Sequence, residues 1–484
     1  MRKTIYTFAL LLNIFIGQSV AHAAWDGQKA TYEWYSEAES GVGDTQENPF
    51  IIKSESDLFG LSNLVSKSVS NTNPHPFAFD DKYFRLDKDL DFQTPKGKAT
   101  NWLPIGDKKN PFRGHFDGAG HTIKNLNINN NCDNTIVKME VYSETQKARR
   151  EDIYSLFEDT PCNSVGLFGH IMNSTIKNLS TQNVSINGNY IVGGICGYAC
   201  WNSAITNCIA DGKISGLGLI GGICGFAEVS CTIDSCSYVG IITSKEGKHA
   251  IGGICGLAQM KCQISNCNSY TNITCENAEY VGGICGLINL SGKIKKCSNS
   301  GNITATGNSN GRFASFGGVC GILGHSCSIE VTTNTGEISV NSNQGFVGGI
   351  CGMSSEETFI TNNYNEGEIT GGENIIAGGI CGMTYRGTIT NDVNVGNVKD
   401  SGVKGGVIGY NFKSRSLVAK CYYDKQTCPV QYGIGAIDIT PSIKASNQGV
   451  DPLSTEEMQN FSKTLDATQW TINKGVYPTL TVFK

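Results

Sequence analysis

The chain is poor in charge. Only 17 % of its 484 residues are Asp, Glu, Lys or Arg, against about 25 % in ordinary domains, and no basic block interrupts a formal net charge of −5. That excludes a charge-rich disordered polymer and argues against nucleic acid or an anionic membrane as the main partner. Histidine is scarce too: there are 7, none followed by glutamate, so the His-Glu-x-x-His arrangement of zinc proteases is missing. No Cys-x-x-Cys pair and no Gly-x-Ser-x-Gly elbow occurs, which removes the common zinc-ribbon and serine-hydrolase signals. The sequence points to no cofactor and no metal ligand. Beyond residue 23 no apolar run approaches the ~20 residues of a membrane helix.

The chain is rich in glycine, 59 residues against an average near 7 %, and holds 20 cysteines. Arg2 and Lys3, the apolar run Ile5 to Ile16 and the small-residue site Ala21-His22-Ala23 read as a secretory signal peptide over 1–23. The expected product is exported, to the periplasm, the cell surface or the medium.

From residue 163 one pattern recurs: IVGGICG, LIGGICG, AIGGICG, YVGGICG, SFGGVCG, FVGGICG and IAGGICG, after a divergent SVGLFG and before a last VKGGVIG. The nine copies follow one another at intervals of about 30 residues, a period that means a solenoid. Eight residues past the final glycine stands isoleucine (Ile205, Ile233, Ile264, Ile294, Ile329, Ile360), and three further on comes Leu179, Cys208, Cys236, Cys267 or Cys297. Short alternating runs between Asn, Ser, Thr and Gly suit strands and hold no helical period. Each copy reads as two or three short strands that must pair with the next copy, giving an all-β parallel β-helix of about nine such coils plus N-terminal ones. The glycines fit sharp turns, by positive φ or by close backbone approach. A phosphate-binding role for GGICG is disfavoured, since no helix pattern or P-loop lysine follows. Cys196, Cys224, Cys255, Cys285, Cys320, Cys351 and Cys381 form a ladder, read as inward thiols serving as small apolar fillers. A thiol-rich exported chain fits an anaerobic source.

Five segments follow: the signal peptide 1–23, an N-terminal cap with first coils 24–128, an insertion 129–162, the repeat β-helix 163–425 and a C-terminal cap 426–484. Ser54 and Asp57, then Leu58, Leu61 and Leu64, predict a short helix at one end; Ser454 and Glu457 open another. The insertion reads as a surface excursion with one docked helix or as a partner-specific arm. Cys132 with Cys162, and Cys421 with Cys428, flank segments that leave the coil pattern and are the candidate disulfides.

GLFG at 166–169 followed by the GGICG copies, with AWDG, YFRLDKDLDF, WLPIG and FRGHFDGAGHTIKNLNI before them and CYYD and WTINKGVYPTL after, resembles the GLUG-motif repeat proteins secreted by gut Bacteroidales. The resemblance covers nearly the whole chain. It implies a right-handed parallel β-helix and an extracellular, adhesin-like role, and it brings no catalytic residue.

Two functional readings remain. In one, a rigid non-catalytic surface of Asn, Ser and Thr with the aromatics Tyr198, Trp201, Tyr270, Tyr280, Tyr364 and Tyr385 binds a glycan or an extracellular protein. In the other, the chain is a polysaccharide lyase or glycosidase using stacked carboxylates, for which Glu337, Glu366 and Glu368 are the candidates, because one coil step approximates a retaining pair's separation of about 5–5.5 Å.

Overall fold

The computed structural model describes residues 29–66, 78–94, 102–130, 164–245, 250–307, 314–438 and 443–483. The signal segment, Cys132, Cys162 and nearly all of the insertion lie outside the described residues.

One coil shows the plan. Ile191–Gly193, Cys196–Cys200, Ala204–Thr206 and Ile209–Ser215 are four strands separated by turns. Each pairs in parallel, residue for residue, with its counterpart in the next copy. The stack makes a parallel β-solenoid of about eleven turns with four faces. These are a glycine sheet of nine strands, a cysteine sheet of eleven, an isoleucine sheet of twelve and a sheet of long strands. Two or three strands per copy was an undercount. The GGICG string is itself divided by a turn, so Ile191–Gly193 and Cys196–Cys200 lie in different sheets. Parallel pairing begins at Phe50–Ile52 against Tyr83–Leu86 and ends at Val450–Leu453 against Cys421–Asp424.

The repeat glycines serve close approach rather than left-handed backbone. None has positive φ; that conformation falls instead on a turn column of Asn178, Asn207, Ser235, Asn266, Lys296, Val331, Asn362, Asn391 and Lys420, five of them Asn, which tolerates it best. A Cβ on Gly193 would lie 2.0 Å from the Cys196 carbonyl oxygen, one on Gly194 2.2 Å from Gly222 O, and one on Gly197 2.6 Å from Val165 N. Three glycines thus admit backbone from the same coil and from both neighbours.

The seven ladder cysteines lie in register on consecutive coils and are fully buried. Each Sγ–H donates to the carbonyl two residues on, at 3.1–3.2 Å. Burial pushes the Cys255, Cys320 and Cys381 thiols well above their ordinary range, which suppresses the reactive thiolate. Cys421 and Cys428 form no disulfide and are buried as well. A thiol reagent applied to native protein is therefore expected to leave the ladder untouched and to label it fully after denaturation, counted by mass spectrometry. Ready labelling of the native ladder would contradict the buried arrangement.

A second inward column runs through Cys208, Cys236, Cys267 and Cys297, then Thr332, Asn363, Asp392 and Cys421, all fully buried. A third is built of amides. Asn299, Asn334, Asn365 and Asn394 are buried, and each Nδ2 of the first three donates to the next coil's Oδ1 at 2.8–2.9 Å and to the glycine carbonyl two residues on. Each amide also occupies the space that a Cβ on Gly283, Gly318, Gly349 or Gly379 would need. Buried amides are tolerated because stacking satisfies them.

The predicted end helices are present. Glu55–Ser66 buries Leu58, Leu61 and Leu64, with Ser54 Oγ accepting from Asp57 N–H. Thr455–Gln459 carries the full capping box of Ser454 and Glu457. This helix and the segment following it cover a side of the solenoid: Met458, Phe461, Leu465, Trp470 and Leu480 pack over Tyr364, Val393, Val395 and Tyr422, on the outside of the long-strand sheet.

Candidate functional site

The outer face of the long-strand sheet gathers most of the sequence-derived candidates. Strand alternation sends Ile214, Ile242, Ile273, Ile303, Ile338 and Ile369 inward, so their neighbours point out. In register order the column before these isoleucines reads Lys213, Ile241, Asn272, Asn302, Glu337, Glu368, and the column after them Ser215, Thr243, Thr274, Thr304, Ser339, Thr370. A third outward column holds Asp211, Val239 and Tyr270. Tyr270 is 51 % exposed, and Val239 and Ile241 on the preceding coil and Ile209 one coil further back are exposed as well. Further along, the same apolar outward positions lie under the C-terminal segment. The central coils thus present an aromatic and aliphatic patch edged by hydroxyls and amides.

Glu337 and Glu368 do stand on adjacent coils, since Ile338 pairs with Ile369, and Glu366 precedes Glu368 on the same side. Their environment is open. Glu337 and Glu366 are exposed, the Glu337 N–H donates to Asn302 Oδ1 at 2.9 Å, and Lys399 Nζ sits 2.5 Å from Glu368 Oε1. The Lys399 ammonium is raised above its ordinary range by this contact. A retaining glycosidase encloses its carboxyl pair in a cleft that holds the sugar, and no such enclosure surrounds these three glutamates.

Of the six aromatic candidates, only Trp201 and Tyr270 are strongly exposed. Tyr364 is buried beneath the C-terminal segment, 6.4 Å from the Trp470 ring. Tyr280 packs in an external apolar corner with Ile191, Leu219 and Leu257. Tyr385 is half-buried, edge-on to Phe412, with Arg386 and Arg415 against its ring.

Tyr198 belongs to a cluster that no motif search finds. His170, Tyr198 and Phe226 stack on successive coils at 4.4 and 4.9 Å, Tyr198 OH donates to Glu228 Oε2, and Gln259 Nε2 donates to Glu228 Oε1 at 3.1 Å. His170 Nε2 lies 3.2 Å from Cys200 Sγ. Burial pushes His170 down to about 4, while burial and then Glu228 push Cys200 up to about 12. Neutral imidazole beside neutral thiol is the opposite of the ion pair that a cysteine nucleophile requires. The cluster is a packed polar seam. Among the described residues no group of three or more His, Cys, Asp or Glu is placed to hold a metal ion, and no helix is long and apolar enough to cross a membrane.

No family model matches the chain. Among curated proteins it is similar to Halomucin of Haloquadratum walsbyi, 29 % identical over 167 residues, 34 % of this chain and 2 % of that protein. It is also similar to the "Putative Gly-rich membrane protein" of Evansella cellulosilytica, 25 % identical over 152 residues, 31 % of this chain and 15 % of that one. The chain thus spans a small part of these relatives. Among solved structures it overlays a "putative immunoglobulin A1 protease" from Bacteroides ovatus with a TM-score of 0.41 and 17 % identity, covering 91 % of this chain and 94 % of that one. An IgA1 protease gives a TM-score of 0.36 at 15 % identity, covering 82 % and 22 %. Overlays at these scores carry nothing about activity.

Proposed function

We propose that this chain is an exported, non-catalytic recognition module of the GLUG-repeat kind, which offers the outer face of its long-strand sheet to a glycan, with an extracellular protein as the second ligand class. One observation carries the reading: Tyr270, half exposed, stands on a rigid sheet among in-register columns of Asn, Ser and Thr. An aromatic face accepts the apolar side of a sugar ring, while amides and hydroxyls at strand spacing meet its hydroxyls. A solenoid face is held by its neighbours on both sides, so little ordering entropy is lost on binding.

A glycan-array and host-protein binding screen is the test. Binding should fall about tenfold or more in Tyr270→Ala, as for a central aromatic contact, and stay unchanged in Glu337→Gln and Glu368→Gln. Release of reducing or unsaturated sugar ends, lost in either glutamate variant, would instead establish the polysaccharide-cleaving alternative.

A further inference from the structure

A separate groove of about 290 Å³ lies at the N-terminal end, on the outside of the isoleucine sheet. Its floor is set by strand alternation. Phe84 and Phe116 point into the core, so Tyr83 and Arg85 of one strand and His115 and Asp117 of the next point out. The Tyr83 and His115 rings lie against one another, centroids 4.7 Å apart and planes inclined by 31°. One wall is the turn carrying Gln46 and Pro49, which is tied down: Tyr83 N–H donates to Gly43 O, Asn48 Nδ2 to Gly41 O, and Lys82 pairs with Asp44.

The charges in this groove are unbalanced. Asp117 is engaged on both oxygens: Oδ1 accepts from Ala119 N–H at 2.8 Å and Asn178 Nδ2 at 2.9 Å, and Oδ2 faces Lys177 Nζ at 3.5 Å. Arg85, exposed at the groove mouth, forms no ion pair with any described residue. Burial holds His115 below its usual range, with Asp81 opposing and Lys177 adding to the effect, so near neutral pH the ring adds no further cation to the groove. Arg85 and Lys177 thus flank one committed carboxylate beside the Tyr83–His115 ring pair.

We propose that this groove binds a single carboxylated sugar residue of the uronate type, its ring on Tyr83 and His115 and its carboxylate on the Arg85 guanidinium. The volume is at the lower limit for ligand pockets, which suits one ring rather than an oligosaccharide. Arg85 supplies two parallel N–H donors matched to a carboxylate. This site lies on another face from Tyr270 and does not depend on the role assigned there.

The probes are glucuronate and galacturonate, with glucose, galactose and inorganic sulfate as controls, titrated into the full chain and followed by calorimetry or by ligand-observed NMR. Uronates should bind, neutral hexoses at least tenfold more weakly, and sulfate more weakly than uronate. Arg85→Gln should weaken uronate binding about tenfold or more, Arg85→Lys should restore part of it, and Tyr83→Ala should weaken it while Tyr270→Ala leaves it unchanged. Circular dichroism of each variant controls for folding. Absence of uronate binding, equal binding of neutral sugars, or an unaffected Arg85→Gln variant would each overturn the proposal. Sulfate binding as tight as uronate would reduce the groove to a simple anion site and overturn the sugar assignment.

Discussion

Gly317→Ala is expected to destabilise the central coils strongly, while Gly372→Ala leaves them intact. The added Cβ at Gly317 would lie 2.0 Å from Cys320 O and 2.8 Å from Ile350 O. Both obstacles are backbone, one in the same coil and one in the next. A flexible side chain could swing away; a carbonyl in a parallel ladder cannot move without breaking the hydrogen bonds that hold two coils together. Overpacking ordinarily costs about 1–3 kcal/mol, and a clash with two fixed carbonyls belongs above that range, at about 4 kcal/mol or more. Stability in a solenoid is a sum of neighbour terms, so the damage should be local at first, with coils on either side of residue 317 losing amide-exchange protection. Gly372 is the control, because the nearest atom to its Cβ would be Ser342 O at 3.9 Å. Alanine there should be neutral or stabilise by a few tenths of a kcal/mol. Hydrogen exchange and urea midpoints of the two variants check the contrast, and a Gly317→Ala protein as stable as its parent would show that close approach is not what the repeat glycines provide.

The same physics explains what could be read in advance. Glycine, isoleucine and cysteine recur at fixed slots because every coil meets the same two neighbours, so periodicity placed the ladder Cys196 to Cys381 and the adjacency of Glu337 and Glu368. What stayed hidden depends on satisfaction between coils rather than on residue type. Asn299, Asn334, Asn365 and Asn394 look like surface residues, yet they face inward, since each amide completes its bonds only when the next coil is in place. A recurrent Asn-x-Gly, visible at all four positions, was the available signal. His170 and Cys200 are 30 residues apart in sequence, one coil step, and copies aligned at the period bring them together. Tyr364 was counted as a surface aromatic because nothing local shows that a segment about a hundred residues later folds over it. Lys399 occupies a slot that elsewhere holds Ser or Thr, so the repeat pattern gives no sign of its contact with Glu368.

Asp392→Asn is expected to stabilise the protein at neutral pH and to remove a decline in stability that the parent shows as pH rises. In the second inward column each cysteine turns its Sγ–H toward an isoleucine carbonyl of the preceding coil, as Cys236 does to Ile205 O and Cys421 to Ile389 O, and Asn363 Nδ2 does the same to Ile329 O. Asp392 keeps half of this pattern. Its Oδ1 accepts from the Asn363 N–H at 2.7 Å and from Asn363 Nδ2 at 2.9 Å, but no donor reaches Oδ2. By coil register the Ile360 carbonyl is the acceptor that an Oδ2–H is expected to use. Full burial pushes the carboxyl well above the usual range, against the Asn363 donors that lower it. The titratable groups that feel it are the thiols of Cys381 and Cys421, and among the described residues no cation offsets a charge there. The folded state thus holds a proton that the unfolded chain releases near pH 4. Stability from this group is complete below that pH and is lost as pH rises toward the raised folded value, by about 1.4 kcal/mol per pH unit in between. Asparagine keeps the Oδ1 acceptor, supplies the missing donor and carries no proton to lose. Urea midpoints of parent and variant should therefore converge near pH 3 and separate steadily toward pH 7, with the variant higher. Parallel curves, or a less stable variant at pH 7, would mean that Asp392 is charged in the folded core.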